Sequence, residues 1–536
     1  MLLDYKIDIN EISMQYKVLI ASAGLGNRLK GMTKNVNKAL ISVAHKPVIS
    51  YIIEKFDENV EFIIPVGYKA QTVKDYLTLA YSNRKFTFVD VNLYEGEGSG
   101  LGYTIIQCEK YLQCPFIFSS NDTLVLENIK PPLHNWMGQA KIKNNSQYRT
   151  IRTQKRDVVE ICVKGTKGDV KAYIGLAGIY DYKEFWKAMN SGINQGSIEI
   201  GESYGLRFLI DKGIEPITFT WFDTGNINEL NKTREYFSKN IDANILEKEE
   251  EAIWFVADKV VKFSIDELFI KDRVQRAKGL ENFIPSIINS TTNMYSYNKV
   301  KGEVLSKNPT ISTFKYYLDW MEKFWIKKDL DKNQEKEFKD ICMKFYKEKT
   351  YKRVKQYFTI FEQIDLEEII NGNKIPKIFN LLDKVNWNEL TCGIPVRFHG
   401  DLHFENILIN SESKIPFTLI DWRQNFGGIM DYGDIYYDFA KLNHGIIVSH
   451  ELVDKNLFEV DHRLNTVYYD FLRKQNLVDC ENYFKKWIEQ QGYSYKRVQL
   501  MTALIYLNIA TLHHYPYSLL LFYLGKNMLN EILGEG

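Results

Sequence analysis

Two stretches of this chain carry side chains whose types and spacing could do chemistry. From Val396 to Trp422 it reads VRFHGDLHFENILINSESKIPFTLIDW. An apolar approach, Val396 to Phe398, leads into a polar run from His399 to Asn406 and then a β-branched run, Ile407 to Ile409. A turn at Asn410 to Lys414 returns a second strand, Phe417 to Ile420, that ends on Asp421. Asp401, Asn406 and Asp421 are therefore expected at the mouth of one hairpin. Moving a phosphoryl group from ATP to a hydroxyl takes a carboxylate to orient and deprotonate the hydroxyl, plus hard oxygen ligands that hold Mg²⁺ against the phosphates. Asp401, Asn406 and Asp421 are the candidate proton-handling and Mg²⁺-holding groups for those two tasks. The other stretch follows an apolar strand, Lys17 to Ala23, which opens directly into Gly24, Leu25, Gly26, Asn27, Arg28 and Leu29. Such a turn lets main-chain N–H groups meet phosphate oxygens, with Arg28 adding a charge-assisted contact.

Elements must position these groups. After the first strand, strand and helix patterns alternate: an apolar helical face at Val48, Tyr51, Ile52 and Lys55, strand Glu61 to Val66, helix Gln71 to Leu79, strand Phe86 to Val91, helix Leu101 to Leu112 and strand Pro115 to Ser119. This is α/β order, and such sheets bind ligands outside the carboxyl ends of their strands. The small-residue turn Gly96 to Gly102 and the pair Asn121 and Asp122 fall at those ends. The pattern breaks at a charged run, Leu246 to Glu251, expected to be a domain junction. Beyond it, strands Ala252 to Phe255 and Lys259 to Phe263 flank Ala257 and Asp258, and a helix is expected over Leu268 to Leu280. Phe314, Tyr317, Leu318, Met321, Phe324 and Trp325 recur at helical spacing and mark a buried stripe. Asp434 and Asp438 are expected to brace the loop that carries Asp401.

Both stretches resemble known families. HGDLHFEN followed by LIDW resembles the aminoglycoside phosphotransferase and choline kinase family, a relative of the protein kinases, which implies base and metal roles for Asp401, Asn406 and Asp421. The run GLGNRLKGMTKNVNKALISVAHKPVISYII resembles the nucleotidylyltransferase family that activates sugar phosphates and phosphocholine. That resemblance implies catalytic roles for Arg28 and Lys38, nucleotide contacts at Gly24, Gly26, Ser99 and Gly100, and Mg²⁺ held by Asp122 and by Asp223 in the TWFDTG element. One departure is Asn37, where the family usually has proline; it is expected to weaken the local turn. Lys262 resembles the strand lysine that pairs with ATP phosphates, with Glu267 and Asp272 both open as its acidic partner. MYSYNKVKGEVL, Met294 to Leu305, resembles the connector that hydrogen-bonds adenine, placing Tyr297 and Val300 there. Lys164 and Arg423 are candidate substrate contacts. No Gly-rich phosphate loop precedes Lys262.

A length of 536 residues suits two large units. The expected boundaries are a Rossmann-like nucleotidylyltransferase domain over 1–243 and a bilobal, protein-kinase-like (α+β) phosphotransferase domain over 244–536, with a small lobe near 250–305 and a helical large lobe over 306–536. A formal net charge of +1 gives no bulk attraction to nucleic acid or anionic membranes. Six cysteines without CxxC spacing read as core thiols. Asp4, Asp8 and Glu11 argue against a signal peptide, and the late apolar segment Ala503 to Leu529 is interrupted by His513, His514, Pro516 and Lys526, so packed helices and a cytoplasmic enzyme are expected. The combined expectation is a kinase that phosphorylates a small polyol, sugar or amino alcohol with ATP, joined to a transferase that activates the product with a second NTP. CTP is favoured over UTP because the first domain is compact. Choline is the leading specific alternative, an inactive nucleotide-binding scaffold is the alternative of another class, and a homo-oligomer is possible.

Overall fold

The computed structural model describes residues 15–142, 144, 146–238, 250–410 and 414–534. Most of the expected junction, and the middle of the turn between Asn410 and Lys414, lie outside these residues. By contact the chain forms two compact units, residues 1–267 with 288–297, and residues 268–287 with 298–536.

In the first unit, strand Lys17–Ala21 runs parallel to Glu61–Val66 on one side and to Phe116–Ser120 on the other, and Glu61–Val66 runs parallel to Lys85–Asp90. Lys171–Ile179 adds antiparallel to Phe116–Ser120, and the sheet continues through Thr150–Gln154 to Asp157–Cys162. Alternate residues of the parallel strands feed two cores. Val18, Ile20, Phe62 and Ile64 pack with Val73, Tyr76 and Leu77 of helix Ala70–Ala80. Leu19, Ile63, Phe116 and Phe118 pack with Ile105, Phe185 and Trp186 on the other face. Burial on both faces explains why these strands read as unbroken apolar runs. The order of the parallel strands reverses between Lys17–Ala21 and Phe116–Ser120, the crevice where such sheets bind ligands.

A four-stranded sheet follows in the order Glu251–Val256, Lys259–Ser264, Met294–Asn298, Ile287–Ser290. Its Trp254, Val256, Val261, Phe263 and Met294 belong to the same core cluster as Val73 and Tyr76. Trp254 meets Tyr76 edge-on at 5.0 Å, and its Nε1 donates to Ser42 Oγ at 3.0 Å. The division by contact therefore differs from the boundary expected at 243/244. Charge along the chain marks a candidate junction, whereas the large apolar side chains beyond it decide which core they join.

In the second unit, helix Ile311–Glu322 buries Phe314, Tyr317, Leu318 and Met321 completely, on the face that the spacing predicted. Helices Ile435–Ile447, Gln475–Gln490, Tyr495–Ile509 and Tyr517–Gly534 supply much of the remaining core. Hairpin Ile407–Ile409 and Phe417–Leu419 is antiparallel, with Glu303–Val304 on its outer edge. Among the described residues no helix is long and apolar enough to cross a membrane.

Candidate active sites

At the strand-order reversal, Gly26 adopts φ 71°, and a Cβ there would lie 3.0 Å from both Lys38 Cβ and Thr33 Cγ2, so the turn needs glycine. Asn37 is fully buried and does not loosen its turn. Its amide donates to Ser22 O at 3.0 Å and Tyr68 O at 2.7 Å, and its Oδ1 accepts from Ala39 N at 2.9 Å, capping the short 3-10 helix Lys38–Leu40. The expectation of a weakened turn is thus corrected: three hydrogen bonds do the fixing that proline would do by restricting φ.

Lys38 Nζ forms an ion pair with Asp122 Oδ2, and Ser120 Oγ donates to the other oxygen. Asp223 ends strand Trp221–Asp223, which pairs antiparallel with Thr123–Val125 so that Asp223 stands opposite Thr123. Its Oδ1 accepts from Gly225 N and its Oδ2 from Tyr148 Oη, both at 2.7 Å. The two carboxylates converge on Gly225, where a Cβ would lie 2.8 Å from Asp122 Oδ2 and 2.9 Å from Asp223 Oδ1. Burial raises the Asp122 carboxyl, but Lys38, Ser120 and Arg28 outweigh it and hold the group below its usual range. Burial and then the Asp122 charge push Asp223 up. Two oxygen donors that repel each other fit a divalent cation. Among the described residues no group of three or more His, Cys, Asp or Glu side chains is arranged to hold a metal. A cation on this pair would take its other ligands from phosphate and water.

Arg28 is exposed and acts on Asp122 and Tyr148 through its charge. Gly24 is open, and a Cβ there would meet nothing within 4 Å. Ser99 Oγ donates to Gly96 O at 2.6 Å. A Cβ on Gly100 would sit 2.4 Å from Ile198 O, which gives this glycine a packing reason of its own. Lys164 is exposed in the turn after Asp157–Cys162, with no hydrogen bond or ion pair to the Asp122 and Asp223 side chains. Glu202, which no sequence motif marks, is buried and pushed up to about 7 by burial, against the opposing effects of Arg149 and Tyr173. Tyr148 likewise belongs to no motif, so spacing gave no signal for either residue.

In the second unit, Gly400 has φ 88°, and Asp401 follows it on a loop fastened from three sides. Asp438, fully buried on helix Ile435–Ile447, accepts from His399 N at 2.8 Å, Gly400 N at 2.7 Å and Trp325 Nε1 at 3.0 Å. Asp434 accepts from Ile394 N at 3.0 Å and from Tyr346 Oη at 3.0 Å. Asp438 braces the loop, as expected, whereas Asp434 fastens Ile394, ahead of strand Pro395–Val396, and not the loop itself. The buried Arg276 guanidinium donates to the carbonyls of Phe398 and Arg423, and to Met430 O at 3.1 Å. Asn406 Nδ2 donates to Asp401 O at 2.8 Å, and Ile420 N donates to Asn406 O at 2.9 Å, so the expected base and amide ligand share one backbone network with the strand leading to Asp421. Asp421 has φ 61° and lies 3.7 Å from Arg273. His399 is fully buried and pushed down to about 3 by burial, so it is a neutral strut that meets Ile420 O at 2.9 Å.

Lys441, on the same helix as Asp438, places Nζ 2.8 Å from Asp401 Oδ1. Burial raises the Asp401 carboxyl, but Lys441 and then His403 overcome it and hold the group well below its usual range. No motif pointed to Lys441. Arg423 Nε donates to Asn425 O at 3.1 Å. Val300 is half-buried in the segment between Met294–Asn298 and Glu303–Val304. Within the first unit, Lys262 is 4% exposed on Lys259–Ser264 and Tyr297 stacks on Tyr295 at 6.3 Å. Of the two carboxylates expected to serve Lys262, Asp272 accepts from Asn425 Nδ2 at 3.0 Å, and Glu267 is exposed where its helix opens.

No family model matches the chain. Over 238 residues, 42% of this chain and 55% of the relative, it is 27% identical to the bifunctional protein GlmU of Methanococcus vannielii. Over 70 residues, 13% of this chain and 30% of the relative, it is 46% identical to the choline-phosphate cytidylyltransferase of Streptococcus pneumoniae. The chain spans 55% to 60% of the length of the GlmU relatives from Methanococcus vannielii and Methanocaldococcus jannaschii. Among solved structures, a UDP-glucose pyrophosphorylase complexed with UDP-glucose is similar at 18% identity and TM-score 0.36, covering 42% of this chain and 100% of that one. The N-terminal region is thus similar in sequence to nucleotidylyltransferases, and each of these similarities covers less than half of this chain.

Proposed function

We propose that the chain is a bifunctional enzyme. Its C-terminal half phosphorylates a small hydroxyl compound with ATP, and its N-terminal half transfers a nucleotidyl group, CMP from CTP by preference, onto the resulting phosphomonoester with release of pyrophosphate. The product would be an NDP-activated precursor for surface polysaccharide. The observation that carries the N-terminal reading is the convergence of Asp122 and Asp223 on Gly225 beside Lys38, at the strand-order reversal. Lys38 and Arg28 would neutralise the charge that builds on the α-phosphate as a phosphomonoester oxygen attacks it. Mg²⁺ held by Asp122 and Asp223 would supply charge neutralisation of the triphosphate.

In the C-terminal half, Asp401 would accept the proton of the attacking hydroxyl, and Asn406 and Asp421 would hold Mg²⁺ against the ATP phosphates. The bracing of the loop by Asp438 and Arg276 supports this reading, because a base must be held in place to act. Val300, in the same unit, would serve ATP. The similarity to choline-phosphate cytidylyltransferase over 70 residues favours choline as a second reading of the acceptor.

The test is ³¹P NMR of the purified protein with ATP, each NTP, Mg²⁺ and a panel of polyols, sugars and amino alcohols. A phosphomonoester is expected first and an NDP derivative after the second NTP. Asp401→Asn should slow phosphorylation by roughly 10²–10⁴-fold and leave pyrophosphate release from a pre-phosphorylated acceptor intact. Loss of both reactions in a folded variant would refute separate sites.

A further inference from the structure

A pocket in the second unit is walled by Phe345, Lys349, Tyr437, Lys441 and Asn508, with Met501 on its apolar side. It reaches Asp401 through Lys441, whose Nζ is 2.8 Å from Asp401 Oδ1. Phe345 belongs to a π-helical turn, Lys344–Glu348, inserted between helices Lys332–Met343 and Lys349–Ile360. Such insertions are frequent at functional sites. Lys349 Nζ stands 4.4 Å and the Arg423 guanidinium 5.0 Å from the centre of the Phe345 ring, so two cations share one aromatic platform. That ring in turn meets Tyr437 edge-on at 5.0 Å.

The charge in this corner is unbalanced. Asp401 is engaged by Lys441, and among the described residues neither Lys349 nor Arg423 has a carboxylate within ion-pair distance. Burial raises the Tyr437 phenol, yet Lys349, Arg423 and Lys441 together bring it below its usual range. Lys349 is itself held down, first by burial and further by Arg423, Lys441 and Arg353. Like charges gathered in a partly buried corner repel, and an anion placed among them relieves the repulsion. A quaternary ammonium or protonated amine would add to it.

We infer that the acceptor phosphorylated by the C-terminal half is an anionic hydroxyl compound, one bearing a carboxylate or a phosphate, whose charged end is held by Lys349, Lys441 and Arg423 while its hydroxyl faces Asp401. This rests on the kinase reading of that half and runs against choline. In the reaction, the hydroxyl oxygen forms a bond to the γ-phosphorus of ATP as the bond to the β–γ bridging oxygen breaks. The hydroxyl proton passes to Asp401, and ADP leaves.

The experiment measures ADP release by the full chain with ATP, Mg²⁺ and acceptors that differ in charge: D-glycerate and glycerol phosphate as anions, glycerol as the neutral member, and serinol and choline as cations. One of the anions is expected to exceed glycerol in kcat/KM by about tenfold or more, with choline inert. The two anionic arms separate carboxylate from phosphate recognition. Lys349→Met should raise KM for the preferred anion by about tenfold with a much smaller change in kcat, and Lys349→Arg should restore it. Turnover of glycerol or choline at least as efficient as that of both anions would overturn the inference, as would an unchanged anion preference in folded Lys349→Met. Calorimetric titration of both anions separates the two claims. If no acceptor is turned over but an anion binds wild type and not Lys349→Met, the kinase reading fails and the anion site stands. If there is neither turnover nor anion binding, both fall.

Discussion

Trp254→Ala tests whether the sheet beyond residue 250 is part of the first unit's core. The indole is fully buried, meets Tyr76 at 5.0 Å and Phe263 at 5.8 Å, and donates to Ser42 Oγ. Truncating a fully buried tryptophan removes its transfer free energy and leaves a cavity, roughly 3–5 kcal/mol in all. Trp254→Phe keeps most of the ring and deletes the N–H, leaving the Ser42 hydroxyl without that donor at about 1–2 kcal/mol. Amide hydrogen exchange in increasing urea reads the effect locally. Protection of Lys17–Ala21 and Ala70–Ala80 should fall by nearly the full loss, because their side chains share the cluster that Trp254 completes. If only residues 251–298 lost protection and the first-unit elements held within about 0.5 kcal/mol, the shared core would be wrong. By the same reasoning, a piece cut near residue 244, where the charged run invites division, should melt well below the full chain.

Asp122→Ala and Asp223→Ala should each lower pyrophosphate release by roughly 10²-fold or more while acceptor phosphorylation continues; an unchanged rate in a coupled pyrophosphate assay would remove that residue from the site. Glu202 is raised from 4.5 to about 7 by burial. Its folded pKa exceeds the unfolded one, so its contribution to stability is fully present below about pH 4.5 and is lost as pH rises through 7, up to roughly 3 kcal/mol. Glu202→Gln should flatten the pH dependence of the urea midpoint between pH 5 and 7, and an unaltered slope would contradict the assignment. Arg276→Met leaves the carbonyls of Phe398, Arg423 and Met430 without their donor and should destabilise the second unit by roughly 2–5 kcal/mol. Calorimetric melting checks this, and a shift equivalent to less than about 0.5 kcal/mol would show that the loop is held without it.

What the sequence determined by itself was local. Strand Glu61–Val66 and helix Ile311–Glu322 were legible because apolar periodicity is a property of consecutive residues. The stretch His399 to Trp422 was legible because its polar groups lie on one hairpin, where spacing along the chain is close to spacing in the fold. Asn37 shows the limit of this reading. A missing proline suggested a looser turn, yet the asparagine reaches carbonyls of Ser22 and Tyr68 that only the folded sheet brings beside it. Lys441 and Asp438 lie on one helix face, three residues apart, and they reach Asp401 and its loop only because helix Ile435–Ile447 packs under that loop. Tyr148 reaches Asp223 in the same way, through tertiary packing. The charged run near residue 246 suggested a junction and lies mostly outside the described residues, and the tertiary structure alone decided which core received Trp254. Burial of an indole is a long-range choice among surfaces, and the order of residues along the chain does not contain it.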